Sequence, residues 1–478
     1  MKYQIISILS VLLFITSIIP VAEGQSNNVK VSTSLSTASS NDETGGILKP
    51  EDEGDHFPCG WELWCVHASL VLEDGQNWDA AATMVYLVNK TRKGYTDGVA
   101  YCRIRHWNRQ TGEFYDNFQT DDYPGVFQTE KNNVNVTYRK NYICGLFPNY
   151  IYHCEDEKNK IITNLNLEAK SSACWLYQES TGGILPWGIS GTGKAYFIPI
   201  LHVTGNISIN GTMYNLTGIA YHEHDIGFFD FSKPYVSTSI KDTISSLKAM
   251  KSRQKWSRLQ VKQNQQKTPF SIHFSNDYLF GWNWGWMVFN NNFSIVMFNP
   301  TFYGISQGNV PGFLYFSKDG INYTEIGCIY WNNCKEKYIE RADIYIPLDF
   351  EMHAYRGKIQ LHLKFNATTE ITELYSQDFA SYYQQNGGTF FACGNVEGYY
   401  IENEENITLN GFYQLDQTRW LPKVIKHRSL DVDLILPPNG LGIAVKRVSH
   451  RSGFERYIEI QLRPKFEFTF YIKPVLKT

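Results

Sequence analysis

The sequence predicts an all-β protein of two domains, each a barrel or sandwich, joined by a basic, partly helical linker. Three observations lead there. From Trp61 onward the chain is rich in Tyr, Phe, Trp, Val, Ile and Thr, residues that fit a pleated, half-buried surface. These runs are punctuated by Asp74-Gly75, Asn210-Gly211, Asp319-Gly320, Asn410-Gly411 and Asn439-Gly440, dipeptides that supply the positive φ angles of tight hairpins. The length of 478 residues exceeds what one core usually supports, which makes two domains the expectation.

Taken in order, residues 1–24 read as an export signal. Lys2 supplies the charge, Ile5 to Ile19 the apolar run, Pro20 the break and Ala22-Glu23-Gly24 the small residues of a cleavage site. The chain is therefore expected to be secreted, with no integral membrane span after cleavage. Residues 25–55 are polar and predict a disordered linker. The first β domain is expected over 56–239. Its clearest stretch, Ala195 to Asp225, reads as strand, Gly205, strand, Asn210-Gly211 turn, then further strand. Over 240–268 the apolar Ile240, Ile244, Leu247, Met250 and Leu259 recur at helical spacing among many Lys and Arg, which predicts a basic amphipathic connector. The second β domain follows over 269–478.

Nine cysteines in an exported chain point to disulfides, with Cys59/Cys65, Cys144/Cys154 and Cys328/Cys334 as local pairs. Nine Asn-x-Ser/Thr sequons add the expectation of a glycoprotein. A net charge of −3 gives no reason to expect a nucleic-acid partner.

Several motifs invite chemistry. "GISGTGK" (Gly188 to Lys194) has phosphate-loop spacing, but Ala195 stands where the magnesium-binding hydroxyl belongs and a strand follows where a helix is needed. No Cys/His pair supports nucleophilic hydrolysis. "YHEHDIGF" (Tyr221 to Phe228) is denser. As a strand it puts Tyr221, Glu223 and Asp225 on one face and His222 with His224 on the other. Two His on one face lack a third ligand within the motif, so no metal is expected. A carboxyl facing an aromatic cavity, by contrast, has its pKa raised and becomes a general acid. "FGWNWGWMVF" (Phe280 to Phe289) places Trp282, Trp284 and Trp286 on one strand face, either as a large core or as the wall of an apolar cavity.

In this order the pieces resemble the AttH-like, carotenoid 1,2-hydratase superfamily. "WELWCVHASLVLEDG" is similar to its E-W-W-Y…DG opening, with Glu62 and Trp64 in place. The segment ending "AYHEHDIGF" is similar to its D-H-E-W-G motif, so that Glu223, His224 and Asp225 fall on the Asp, His and Glu positions. "GWNWGWMVF" is similar to G-W-D-W-F, and "FFACGNVEGYY…LNGFYQLDQTRW" to its C-terminal block. The chain departs at Ile226, which replaces the family's Trp, and at Asn283, which replaces an Asp and cannot donate a proton as a carboxylic acid does. The resemblance implies two lipocalin-like domains holding an apolar small molecule (isoprenoid, polyene or lipid-like) without a cofactor. Its contacts would come from Trp282, Asn283, Trp284, Trp286, Tyr221 and Trp64, with Glu223, His224 and Asp225 as polar end or catalytic groups. The resemblance implies three roles to separate: simple retention, hydratase, isomerase or pericyclase action on C=C bonds, and a non-catalytic surface glycoprotein.

Overall fold

In the computed structural model the described residues are 48–91, 94–186, 191–227, 240–264, 270–274, 280–302, 305–308, 313–339, 344–368, 372–374, 385–422, 428–436, 456–461 and 467–474. The expected signal, the Asn439-Gly440 turn and most of the polar linker lie outside them. All described elements fall within one compact unit, Thr44–Thr478.

The chain is nearly all strand, in two antiparallel sheets of lipocalin-like form. The first sheet comprises β1 (Trp61–Leu72), β2 (Asn77–Thr91), β3 (Gly94–Asn108), β4 (Phe114–Tyr123), β5 (Phe127–Gln128), β6 (Val134–Tyr138), β7 (Asn141–Leu146), β8 (Asn149–Asp156), β9 (Ile161–Ala169), β10 (Cys174–Trp175), β11 (Leu185–Pro186), β12 (Thr192–Ile209) and β13 (Thr212–Gly227). Its order, β4-β3-β2-β1-β13-β12-β9-β8-β7-β6-β5, coils into a nearly closed barrel.

The second comprises β14 (Phe270–Phe274), β15 (Phe280–Phe289), β16 (Ser294–Phe302), β17 (Ile305–Gly308), β18 (Phe313–Ser317), β19 (Tyr323–Ile326), β20 (Cys328–Ile339), β21 (Ile344–Arg356), β22 (Ile359–Ala367), β23 (Thr372–Leu374), β24 (Gln385–Glu402), β25 (Glu405–Pro422), β26 (Arg428–Leu436), β27 (Arg456–Gln461) and β28 (Glu467–Pro474). This sheet is a half-barrel with β25 and β15 at its centre. Three helices complete the described fold: α1 (Pro50–Glu53), α2 (Gln178–Thr181) and α3 (Ile240–Asn264).

Turn chemistry accounts for most of the hairpins. Asn210 and Gly211, at φ of 52° and 86°, make the two-residue loop that pairs Ile209 with Thr212. Asp74-Gly75 and Asp319-Gly320 turn as expected. Asn410-Gly411 does not: both lie inside β25, where a side chain on Gly411 would meet the Val288 carbonyl at 2.3 Å, and the turn falls at Asn403-Glu404 instead. Gly205 likewise lies within a continuous β12.

The barrel lumen is filled by alternate residues. Trp64, Val66, Ala68 and Leu70 of β1 meet Ala80, Ala82, Met84 and Tyr86 of β2 there, with Ile198 and Ala220 from β12 and β13. The segment from Leu48 to Pro58 closes one mouth. Its Glu53 carboxylate, only 1% exposed, accepts the Tyr150 hydroxyl at 2.6 Å, and the Trp64 indole donates to the Glu53 carbonyl at 3.3 Å.

Between the sheets lies an aromatic seam. Tyr221 of β13 packs against Trp284 at 4.6 Å and Trp286 at 5.1 Å between ring centroids, and the Trp286 indole donates to the Pro199 carbonyl at 2.7 Å. α3 occupies the expected connector position but turns a different face inward. Ser246, Ala249, Arg253 and Gln260 are buried, Arg253 in an ion pair with Glu325, while Ile240, Ile244, Leu247 and Leu259 are exposed. A buried guanidinium with a carboxylate partner outcompetes the apolar stripe for the inner face. Among the described residues no helix is long and apolar enough to cross a membrane.

Replacing Trp286 with Ala should cost about 3–5 kcal/mol, because it removes a fully buried indole and its hydrogen bond together. Urea denaturation checks this; a loss below about 1 kcal/mol would show that the seam does not depend on that ring.

Candidate functional site

The candidate site follows from the β13 register. Tyr221, Glu223 and Asp225 face the seam, and His222 with His224 face the lumen, as period-two alternation requires. The sequence-predicted set is thereby divided in two.

On the seam side, Glu223 and Asp225 are half-buried and share a hydrogen bond. Burial pushes the Glu223 carboxyl well above the usual carboxylate range, and the neighbouring Asp225 and Asp416 push it further against the pull of Arg105. Burial raises Asp225 to about 7, with its bond to Glu223 opposing. Asp416, on β25, is raised by burial despite Arg105, whose Nη1 lies 3.8 Å from its Oδ2. One oxygen each of Asp225 and Asp416 is buried with no hydrogen-bond partner among the described residues.

Arg105 also donates to His67 Nε2, and burial together with that guanidinium keeps His67 neutral. A recess lined by His67, Asp79, Arg105, Trp107, Phe391 and Gln414 adjoins this cluster and encloses about 20 Å3, room for about one water. Trp284 and Trp286 are buried residues of the seam, packed with Phe197 and Tyr221. Trp282 shares their strand face by alternation, but its side chain lies outside the described residues. Asn283 sits on the opposite face of β15, pairing in register with Gln417.

On the lumen side, the Glu62 carboxylate is wholly buried. Its Oε1 accepts from His56 Nδ1 and His224 Nε2, both at 2.8 Å. Its Oε2 accepts from the Tyr86 hydroxyl at 2.6 Å and the His56 backbone N–H at 3.0 Å. Burial would raise Glu62, but the hydrogen bonds and charges of His224 and His56 outweigh it and hold the carboxyl at about 2. Trp64 stacks on His224 with centroids 4.7 Å apart. Trp64 is thus a lumen residue against His224, remote in role from the Trp284 wall it was expected to join.

Sequence reasoning missed His56, Tyr86, Arg105, Asp416 and His67. The only signal for any of them was the spacing His56-x-x-Cys59-x-x-Glu62, which brings three donor residues into one short segment.

The cysteines correct an expectation. Cys59, Cys65, Cys144 and Cys154 are free thiols. Cys59 contacts the Tyr86 hydroxyl at 2.9 Å, and Cys65 contacts the Thr83 hydroxyl at 3.2 Å, on different strand faces. Cys144 and Cys154 pair in register with Ile151 and Thr163. The side chains of Cys328 and Cys334 lie outside the described residues.

No family model matches the chain, and no curated protein matches it. Among solved structures, a protein assigned as AttH from Nitrosomonas europaea is similar at a TM-score of 0.53 and 13% identity, over 78% of this chain and 97% of that one. This likeness is one of fold. Kievitone hydratase from Nectria haematococca is similar at 0.48 and 10% identity (78% and 91% covered), and CghA with Sch210972 at 0.41 and 8% (75% and 89%). At such identities the likeness speaks to the AttH fold alone, and the chemistry has to be argued from this chain's residues.

The raised carboxyls predict a pH dependence. A carboxyl whose folded pKa exceeds its unfolded value stabilises the fold while protonated, and that contribution is lost as pH rises through the folded pKa. For Asp225 the decline therefore runs from the ordinary carboxylate range up to about 7. Asp225→Asn should match the parent near pH 4 and exceed it by on the order of 1–3 kcal/mol near pH 8, read from urea unfolding at both values. Equal stability at the higher pH would show that ionising the Asp225 carboxyl costs the fold nothing.

Proposed function

We propose that this chain is a lipocalin-fold protein that holds an apolar small molecule (isoprenoid, polyene or lipid-like) at the seam face of its first barrel, with Glu223 and Asp225 as the polar end. The observation that carries the proposal is the half-buried carboxyl pair beside Tyr221 and Trp284, where desolvation and like charge favour the protonated form.

A protonated carboxyl next to aromatic faces suits acid-assisted chemistry on a C=C bond. Glu223 gives its proton to one alkene carbon, and positive charge develops on the neighbouring carbon, where ring faces stabilise it. Water from the recess beside Arg105 and His67 adds there. Loss of a proton from the added water to the carboxylate pair restores the acid, and the net change is addition of one water. Export, argued from Lys2 to Gly24, belongs to the same proposal and places the reaction outside the cell.

Incubation of the purified chain with polyene and isoprenoid pools should yield products heavier by one water. Glu223→Gln and Asp225→Asn should each reduce turnover roughly 10²–10⁴-fold while leaving ligand retention and the circular dichroism spectrum unchanged. Retention without product would rule out the acid step and leave a binding protein; a chain that neither retains nor converts any of these ligands overturns both.

A further inference from the structure

Within their own strand segment His222 and His224 have no third ligand on their face. The fold supplies ligands from elsewhere. His56 comes from the segment after α1, Glu62 from β1 and His224 from β13, where Trp64 pairs with His224 and Glu62 with Ile226. From these residues we propose that His56, Glu62 and His224 form a binding site for a divalent transition metal of the zinc class.

Geometry supports it first. Glu62 Oε1 lies 2.8 Å from both imidazole nitrogens, and the three donor atoms all lie within 4.8 Å of one another. Donors held at about 2.0–2.1 Å around a tetrahedral zinc are roughly 3.3 Å apart, so a metal needs only small side-chain shifts. Two imidazoles and a carboxylate are a donor set that suits zinc, and the Cys59 thiol, 3.7 Å from Glu62 Oε2, is a soft donor available for the fourth position.

The surroundings point the same way. The Tyr86 hydroxyl has one proton, yet two carboxylate oxygens crowd it: Glu62 Oε2 at 2.6 Å and Asp55 Oδ1 at 2.9 Å. A buried excess of acceptors is an environment that a cation relieves. Tyr86 and the His56 backbone orient the carboxylate, and Trp64 fixes the His224 ring plane, the outer support that metal ligands need. Glu62 and His224 are fully buried and the His56 side chain is 26% exposed, so the ion reaches the site past His56. Bound there, it pins the closing segment to the barrel mouth. The site is on the opposite face of β13 from Glu223 and Asp225, so it stands independently of the proposed acid chemistry.

The test uses the full chain, stripped with a chelator and titrated with cobalt(II). The expected result is uptake of about one equivalent with the visible absorption of a four-coordinate ion, and a near-ultraviolet thiolate band that Cys59→Ser removes. His56→Ala, on the partly exposed segment, should weaken uptake at least roughly tenfold without altering the circular dichroism spectrum. Glu62→Gln and His224→Gln should abolish uptake. The half-exposed group Glu351, His353 and His362 on β21 and β22 is the control, and His362→Ala should leave the signal unchanged. No uptake by the folded parent, uptake that His56→Ala does not affect, or uptake that only His362→Ala removes would each overturn the proposal.

Discussion

A strand buried on both faces has to satisfy two environments at once, and β13 is that strand. It pairs with β1 on one side and β12 on the other, so its backbone is committed to the barrel wall. Its side chains alternate between a packed lumen and a packed seam, and a one-residue slip would exchange the two sets completely. Carboxylates would then enter the lumen beside Glu62, and imidazoles would enter the seam beside Arg105. Like charge against Glu62 makes the slipped register costly. The polar residues of β13 thus specify its register as firmly as its apolar ones.

The seam shows how the two sheets share one polar network. Gln414 of β25 donates to Asp79 of β2 at 3.2 Å, Arg109 lies 3.4 Å from the same carboxylate, and Arg105 bridges His67 and Asp416. Asp79 is balanced by Arg109 within the first domain, whereas Asp416 of the second sheet is balanced by Arg105 of the first. The aromatic residues Tyr221, Trp284, Trp286 and Phe197 seal the adjoining region. Protonation of Glu223 is favoured by its burial and by the neighbouring acids Asp225 and Asp416, against the pull of Arg105. Proton affinity at this site is a property of the assembled seam, which neither sheet could generate alone.

Much of the fold was legible in local pattern. The Asn210-Gly211 turn, the alternation of β1 and β13 and the helical connector all follow from short-range rules, and the two-sided reading of "YHEHD" needed only the strand period. Asn410-Gly411 misled because the same dipeptide serves equally where a neighbouring strand approaches closely, as Val288 does. The face of α3 was misread because Arg253 is buried by a partner, Glu325, that lies 72 residues away. Distance in sequence also hid the lumen cluster. Glu62 and His224 are 162 residues apart, and nothing in either motif states that they meet. The cysteines were misjudged by proximity in sequence, which does not bring thiols together when each is held by different partners, as Cys59 is by Tyr86 and Cys65 by Thr83.

Asn283 tests how far a motif departure can be carried. In the resemblance it replaces an Asp, which raised the question of whether a proton source had been lost. Cross-strand partners share a sheet face. Asn283 pairs with Gln417, whose side chain donates to the Pro347 carbonyl within the second sheet, whereas Trp284 pairs with Asp416, which reaches Arg105 at the seam. The position of Asn283 therefore belongs to the inner face of the second sheet. Whatever an Asp would do there, it would not face Glu223. The seam carboxyls Asp79, Glu223, Asp225 and Asp416 are all placed without any contribution from position 283.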